Sequence, residues 1–191
     1  MRLILASASP RRAEILRDAG IVFEALPVGV DEAAWHHEAP AHLVRRLAKM
    51  KAAAAADRVT GAALVVGADT EVVMDGKVLG KPAAVLDARE MLRRLSGGVH
   101  EVMTGLEFIR LPDRAARSEL EITRVTFAPL SDAEIDAYVA SKEPFDKAGG
   151  YAIQGRAGRF ITRVEGCYFN VVGLPLSRMY RALLDFGWSP G

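Results

Sequence analysis

Cysteine is nearly missing from this sequence. Cys167 is the one cysteine in 191 residues, so an internal disulfide is excluded. With no histidine-rich setting nearby to support a thiolate, Cys167 reads as a small packing residue. Net charge is nearly missing too: 25 Lys and Arg stand against 24 Asp and Glu, for a formal +1. That balance excludes a surface devoted to coating nucleic acid and leaves room for a local basic pocket. No apolar run approaches the ~20 residues of a membrane span, and no leader-like segment opens the chain. A soluble, cytoplasmic protein is therefore expected. His36, His37 and His42 lack the helical His-Glu-x-x-His spacing of a zinc hydrolase and read as surface residues. No repeat, low-complexity linker or domain boundary interrupts the chain, so one domain over 1–191 is expected, with room for two lobes. Half the residues are hydrophobic, enough for a sizeable core.

What is present is organised around Val65 to Pro82. Ala62 to Val66 is an apolar, valine-rich run that reads as a buried strand. Asp69 is expected at its end. Thr70 to Met74 extends again, Asp75-Gly76 signals a tight turn, and Val78-Leu79 return. Lys81 then stands as a lone cation before Pro82. Open α/β sheets bind ligands at strand ends, so this carboxylate and this ammonium are candidates for chemistry. Taken alone, Asp69 is equally well an ordinary solvated charge.

The N-terminal stretch supplies a partner. Residues 2–6 read as a buried strand and Ala13 to Ala19 as a helix, with Ser9 as N-cap, Pro10 as first helical residue and Gly20 as the stop. Free N–H groups at such a helix start bind anions. Arg11 and Arg12 lie in the same first turn, where a cation opposes the helix dipole by about 0.3–1 kcal/mol. An anionic ligand removes that conflict, and arginine grips phosphate in a fork; the alternative is that both point into water. Further on, Val22 to Val28 predicts a second strand, and the acidic pair Asp31-Glu32 that follows either ligates a metal or merely ends a strand. Pro40 to Val59 predicts a long helix that carries Lys49 and Lys51. Asp87-x-x-Glu90 resembles a capping box, and Ser131-x-x-Glu134 is a clear one. Val99 to Leu111 and Arg117 to Phe127 read as a hairpin around Pro112-Asp113. The glycine-punctuated stretch 145–175 holds Asp146, Lys147, Gln154, Arg156 and Arg159, with Ile161 to Val164 as a possible strand, and a last helix follows Pro175. Glycines there let backbone approach a ligand closely.

SASPRR at 7–12, RLAKMKA at 46–52, GADTEVV at 67–73, GKP at 80–82, LSG at 95–97, DKAGGYAIQG at 146–155 and VVGLPL at 171–176 occur in that order. Together they resemble the Maf family of nucleoside triphosphate pyrophosphatases nearly end to end. The resemblance implies a Maf/ITPase-like α/β fold: a mixed, elongated central sheet flanked by helices, in two lobes with a cleft. It also implies a cytoplasmic homodimer, a divalent cation (Mg²⁺ or Mn²⁺), and hydrolysis of a nucleoside triphosphate to the monophosphate and pyrophosphate. A link to cell-division arrest and to clearing modified nucleotides comes with it.

Carried over residue by residue, Asp69 matches the family's catalytic acid, assigned as proton acceptor. Ser9, Arg12, Lys51 and Lys81 match positions around the phosphates, and Glu32 with Asp69 those around the metal. Arg11, Thr70 and Gln154 match the specificity positions of the dTTP/UTP subgroup; the 7-methyl-GTP subgroup typically carries Trp, Gln and Glu there. A glutamine amide offers one donor and one acceptor, which suits the carbonyl and N3–H of uracil or thymine. Lys49-Met50-Lys51 departs slightly from a pattern that often has Glu before the second lysine. Three other functions stay open at this point: a 7-methyl-GTP pyrophosphatase, a nucleotide-sensing division regulator with little catalysis, and a phosphosugar or nucleotide transferase.

Overall fold

Residues 1–189 are described by a computed structural model of the chain. The apolar segments Arg2–Ala6 (β1) and Ala63–Met74 (β3) pair in parallel, from Arg2 opposite Ala63 to Ala6 opposite Gly67. The other edge of β3 is taken over nearly its whole length by the antiparallel Val99–Leu111 (β5), which pairs in turn with Ala116–Phe127 (β6). After the Asp75-Gly76 turn, Lys77–Leu79 (β4) folds back on the end of β3, from Val72 opposite Leu79 to Met74 opposite Lys77. Glu24–Ala25 (β2) and Ile161–Glu165 (β7) complete a mixed seven-stranded sheet.

β1 and β4 therefore share one edge of β3 without meeting. β1 stops at Gly67 and β4 begins at Val72, so Ala68, Asp69, Thr70 and Glu71 have no strand beside them on that edge. This notch is the origin of the cleft. It also corrects the placement of Asp69, which lies within a continuous twelve-residue strand rather than at a strand end. The small residues Gly67 and Ala68 do not break the strand, because β5 pairs with both.

The helices cover both faces. Pro10–Asp18 (α1) and Leu176–Asp185 (α6) pack with Leu3, Leu5, Val66 and Phe108 on one side. Pro40–Ala56 (α2) packs its alanines against Ile4, Ala63 and Val65 on the other. At the far end, Val85–Leu95 (α3) and Asp132–Ala140 (α4) enclose a separate aromatic core containing Phe127, Tyr138 and Phe160. A short helix, Tyr168–Val172 (α5), precedes α6. No described helix is long and apolar enough to cross a membrane.

Two glycines govern how low α2 rides on the sheet. A Cβ on Gly67 would lie 2.2 Å from the Ala48 carbonyl oxygen, and one on Gly105 2.4 Å from that of Val44. Only bare backbone allows this approach. Gly105 stands opposite Asp69 in the β3–β5 register, so the close contact brings the next part of α2, with Lys51, down to that acid.

Several local expectations shift. The second strand shrinks to Glu24–Ala25, because β1 offers only Ile4 and Leu5 as partners there and Val22 stays exposed. α2 ends at Ala56 rather than Val59. α3 starts at Val85, with Asp87 inside its first turn: the Asp87 carboxylate accepts from the N–H groups of Ala83 and Ala84 at 3.2 and 3.0 Å. Ser9 precedes α1 without a side-chain capping bond. The capping box at Ser131 and Glu134 and the long β5–β6 hairpin are as expected.

Candidate active site

The notch opens into a cleft of about 480 Å³. Every site residue expected from the sequence lines it: Ser9, Arg11 and Arg12 from the start of α1, Glu32 from the loop after β2, and Lys51 from α2. Asp69 and Thr70 come from β3, Lys81 from the segment after β4, and Gln154 from the glycine-rich stretch. Gly149 docks that stretch over the cleft. Its φ is +68°, and its absent Cβ would fall 2.8 Å from Val72; its N–H donates to the Gly80 carbonyl at 3.0 Å. Of the other charged residues there, Asp146 and Lys147 line the cleft, paired with each other, whereas Arg156 and Arg159 are not part of the lining.

Alternation along β3 sends Asp69 and Glu71 to the α2 face and Thr70 to the α1 face. The Asp69 side chain is about nine-tenths buried, and Lys51 Nζ donates to its Oδ1 at 2.7 Å. The same ammonium reaches Glu32 Oε1 at 2.6 Å, bridging two acids that are far apart in sequence. That hydrogen bond holds the Glu32 carboxyl below its usual range against partial burial. Asp69 Oδ2 has no protein partner. The unpaired oxygen points to a group from outside the chain, since buried polar atoms are rarely left unpaired.

Glu71 was not expected from the sequence. Burial, then the charges of Asp69 and Glu32, push its carboxyl up to about 7, and its Oε2 is buried without a partner. The signal was available: in a strand, residues two apart share a face, so an acid at 71 joins an acid at 69. Tyr151 in the cleft wall was also unforeseen; its hydroxyl lies 2.7 Å from His100 Nε2, and burial lowers that imidazole to about 4, keeping it neutral.

Arg12 does more than line the cleft. It is buried, and its guanidinium donates to the Gly173 carbonyl at 2.8 Å, Ser7 Oγ at 3.1 Å, the Ala68 carbonyl at 3.0 Å and Thr70 Oγ1 at 2.9 Å. Ala68 belongs to the unpaired edge of β3, so Arg12 supplies a donor there that a neighbouring strand would have supplied. Burial lowers its pKa, opposed chiefly by Asp69, and an arginine remains charged. Thr70 is drawn into the same network: its hydroxyl donates to the Gly173 carbonyl at 3.1 Å and lies 2.9 Å from Thr104 Oγ1. Arg11, Lys81 and Gln154 remain directed at the cleft with no described hydrogen bond of their own.

The arrangement places cations, of which Arg12 and Lys51 are held by hydrogen bonds, around a free carboxylate oxygen, a geometry for holding and attacking a polyanion. A family profile described as Maf-like protein matches residues 2–186. The chain belongs to the Maf family. This Maf protein is 51% identical over 187 residues to a protein of Symbiobacterium thermophilum named dTTP/UTP pyrophosphatase, covering 98% of this chain and 95% of the relative. Proteins of the same name from Carboxydothermus hydrogenoformans and Pelotomaculum thermopropionicum are 45% and 48% identical, each over 98% of this chain and over 100% and 97% of their own.

Proposed function

We infer that this Maf protein is a nucleoside triphosphate pyrophosphatase that hydrolyses dTTP and UTP to the monophosphate and pyrophosphate. The observation that carries the reading is the buried Asp69 carboxylate, held by Lys51 on one oxygen and open on the other, in a cleft ringed by Arg11, Lys51 and Lys81. The names of relatives at 45–51% identity support the substrate pair.

In this mechanism the cations hold the triphosphate, and the barrier falls chiefly through positioning and charge neutralisation. Asp69 Oδ2 accepts a proton from the attacking water as its oxygen bonds to the α-phosphorus. The bond from that phosphorus to the bridging oxygen breaks, and pyrophosphate leaves with the electron pair. Gln154 reads the base edge through its amide, Arg11 borders the same pocket, and Thr70 shapes it by holding Arg12 and the Gly173 carbonyl.

A divalent cation fits the oxygen donors present. Mg²⁺ and Mn²⁺ take carboxylates and retain waters, and unpartnered oxygens on Asp69 and Glu71 supply the chemistry. Glu32 and Asp69 would hold it, Asp69 then serving as metal ligand in place of proton acceptor, and once bound it would neutralise charge on the phosphates. Among the described residues no tight cluster of three ligand side chains is preformed, consistent with Lys51 standing between Glu32 and Asp69.

Pyrophosphate release from a panel of dTTP, UTP, GTP and 7-methyl-GTP with Mg²⁺ tests the reading. Turnover on the two pyrimidine nucleotides is expected, and Asp69→Asn should lower kcat by about 10²–10⁴-fold while nucleotide binding persists. Nucleotide binding without pyrophosphate release in the wild type would instead identify a sensor.

A further inference from the structure

Arg46 lies outside the cleft lining, in the RLAKMKA stretch of α2, yet it is spent on the loop that carries Glu32. Residues 26–39 form neither strand nor helix and are mostly exposed. Arg46 grips this loop at several points. Its Nε and Nη2 each donate to a Glu38 carboxylate oxygen at 2.7 Å, and Nη2 also donates to the Ala33 carbonyl at 3.0 Å. The guanidinium stacks 4.3 Å from the ring centre of Trp35, which is otherwise 62% exposed. Glu38 closes the turn by accepting from the Trp35 N–H at 3.1 Å.

This pair is unusually buried for a loop: the Arg46 and Glu38 side chains are 9% and 2% exposed. The hydrogen bonds from Arg46 outweigh desolvation and hold the Glu38 carboxyl down at about 2, so the charged pair stabilises the loop where it lies. A fork of two parallel bonds does fix geometry. The place fixed is telling. Arg46 holds the carbonyl of Ala33, and Lys51, five residues along the same helix, holds the side chain of Glu32 at 2.6 Å. Two cations of one helix thus grip adjacent residues of the loop, one from beneath and one from the cleft.

We propose that Arg46 is a positioning residue for Glu32: with Glu38 and Trp35 it forms a latch that holds the loop where the Glu32 carboxylate meets Lys51 at the edge of the cleft. The proposal rests on the hydrolase reading for its effect on rate, and on the geometry alone for its effect on the loop. Kinetically, Arg46→Ala should lower kcat/KM for UTP by about ten- to a hundredfold, the size of effect a small misplacement produces. Added to Glu32→Gln, Arg46→Ala should cost less than about twofold more, because the group it positions is already gone. An equal factor in both backgrounds, or no effect on the wild type, would overturn the proposal in favour of a role in general stability. Glu38→Gln, which leaves Arg46 in place and breaks the charged fork from the loop side, should show the same pattern at smaller size and decides the matter if Arg46→Ala does not fold. Hydrogen exchange on the ligand-free protein supplies a second arm that needs no turnover. Amides of residues 31–38 should exchange faster in either variant while those of α2 keep their protection; an unchanged loop rules the latch out. If the wild type releases no pyrophosphate, the hydrolase reading falls and the exchange arm still decides the latch.

Discussion

Arg12 occupies the first turn of a helix, where the dipole argument predicts that removing a cation stabilises the ligand-free protein by a few tenths of a kcal/mol. The surroundings reverse that sign. Arg12→Ala withdraws four hydrogen bonds and strips the carbonyls of Ala68 and Gly173 of a buried donor. A loss of about 2–4 kcal/mol is expected, read as a lower melting midpoint without nucleotide; a midpoint unchanged or raised would show that water replaces the guanidinium at no cost. Glu71 makes a different demand on its surroundings. Its carboxyl titrates near 7 instead of the usual 4.5, so between those values the folded protein holds a proton that the unfolded chain has released. Stability from this group is therefore present below pH 4.5 and lost as pH rises to 7. Glu71→Gln, which mimics the protonated form, should melt like the wild type near pH 4 and above it at pH 8. Equal midpoints at both pH values would place an ionised, compensated Glu71 in the fold.

At the scale of elements, the contact between α2 and the sheet is the feature most open to test. Gly105 faces the Val44 carbonyl across a gap too small for a methyl group. Gly105→Ala must push α2 outward, at about 1–3 kcal/mol for overpacking, and the same movement draws Lys51 away from Asp69. Both the urea midpoint and kcat should fall. A stability loss with undiminished kcat would show that Lys51 has reach to spare. The elements themselves were largely legible. The strand, loop and helix at the N-terminus, the Asp75-Gly76 turn, the long hairpin and the Ser131 capping box all follow from patterns within a few residues. The short β2 and the early start of α3 were not legible, because each depends on what a neighbouring segment offers: two register positions on β1 for the one, a carboxylate reaching back to Ala83 and Ala84 for the other.

Across the whole molecule, the proposed base site draws on chain regions more than a hundred residues apart. Arg11 opens α1 and Gln154 follows the Gly149-Gly150 turn, and both line one cleft. Gln154→Glu replaces an amide donor by a second acceptor, so a uracil carbonyl would face a carboxylate. An unpaired buried polar contact costs about 1–3 kcal/mol, which predicts a ten- to hundredfold lower kcat/KM for dTTP and UTP. Gain of guanine activity is not expected, since Arg11 and Thr70 still border the pocket. If kcat/KM for dTTP, UTP, GTP and 7-methyl-GTP changes by one common factor, Gln154 supports the phosphates or the fold instead of reading the base.

By itself the sequence determined which chemistry is available: a near-neutral chain, arginines at a helix start after small residues, an acid and a lysine flanking a hairpin, and blocks in Maf order. Residue type and short-range periodicity carry part of that information; the resemblance to the Maf family supplies the site assignments, Glu32, Lys51, Thr70 and Gln154 above all, and the nine residues it marks line one cleft. The tertiary structure alone decided that Asp69 sits inside a strand, that β1 and β4 leave a notch on its edge, that Arg12 fills part of that notch, that Glu71 is partly buried with one carboxylate oxygen enclosed near two other acids, and that Arg46 holds the Glu32 loop. Each of these turns on which distant segment lies alongside. Strand pairing and helix docking are settled by the packing of the whole chain, so no local window of sequence contains them.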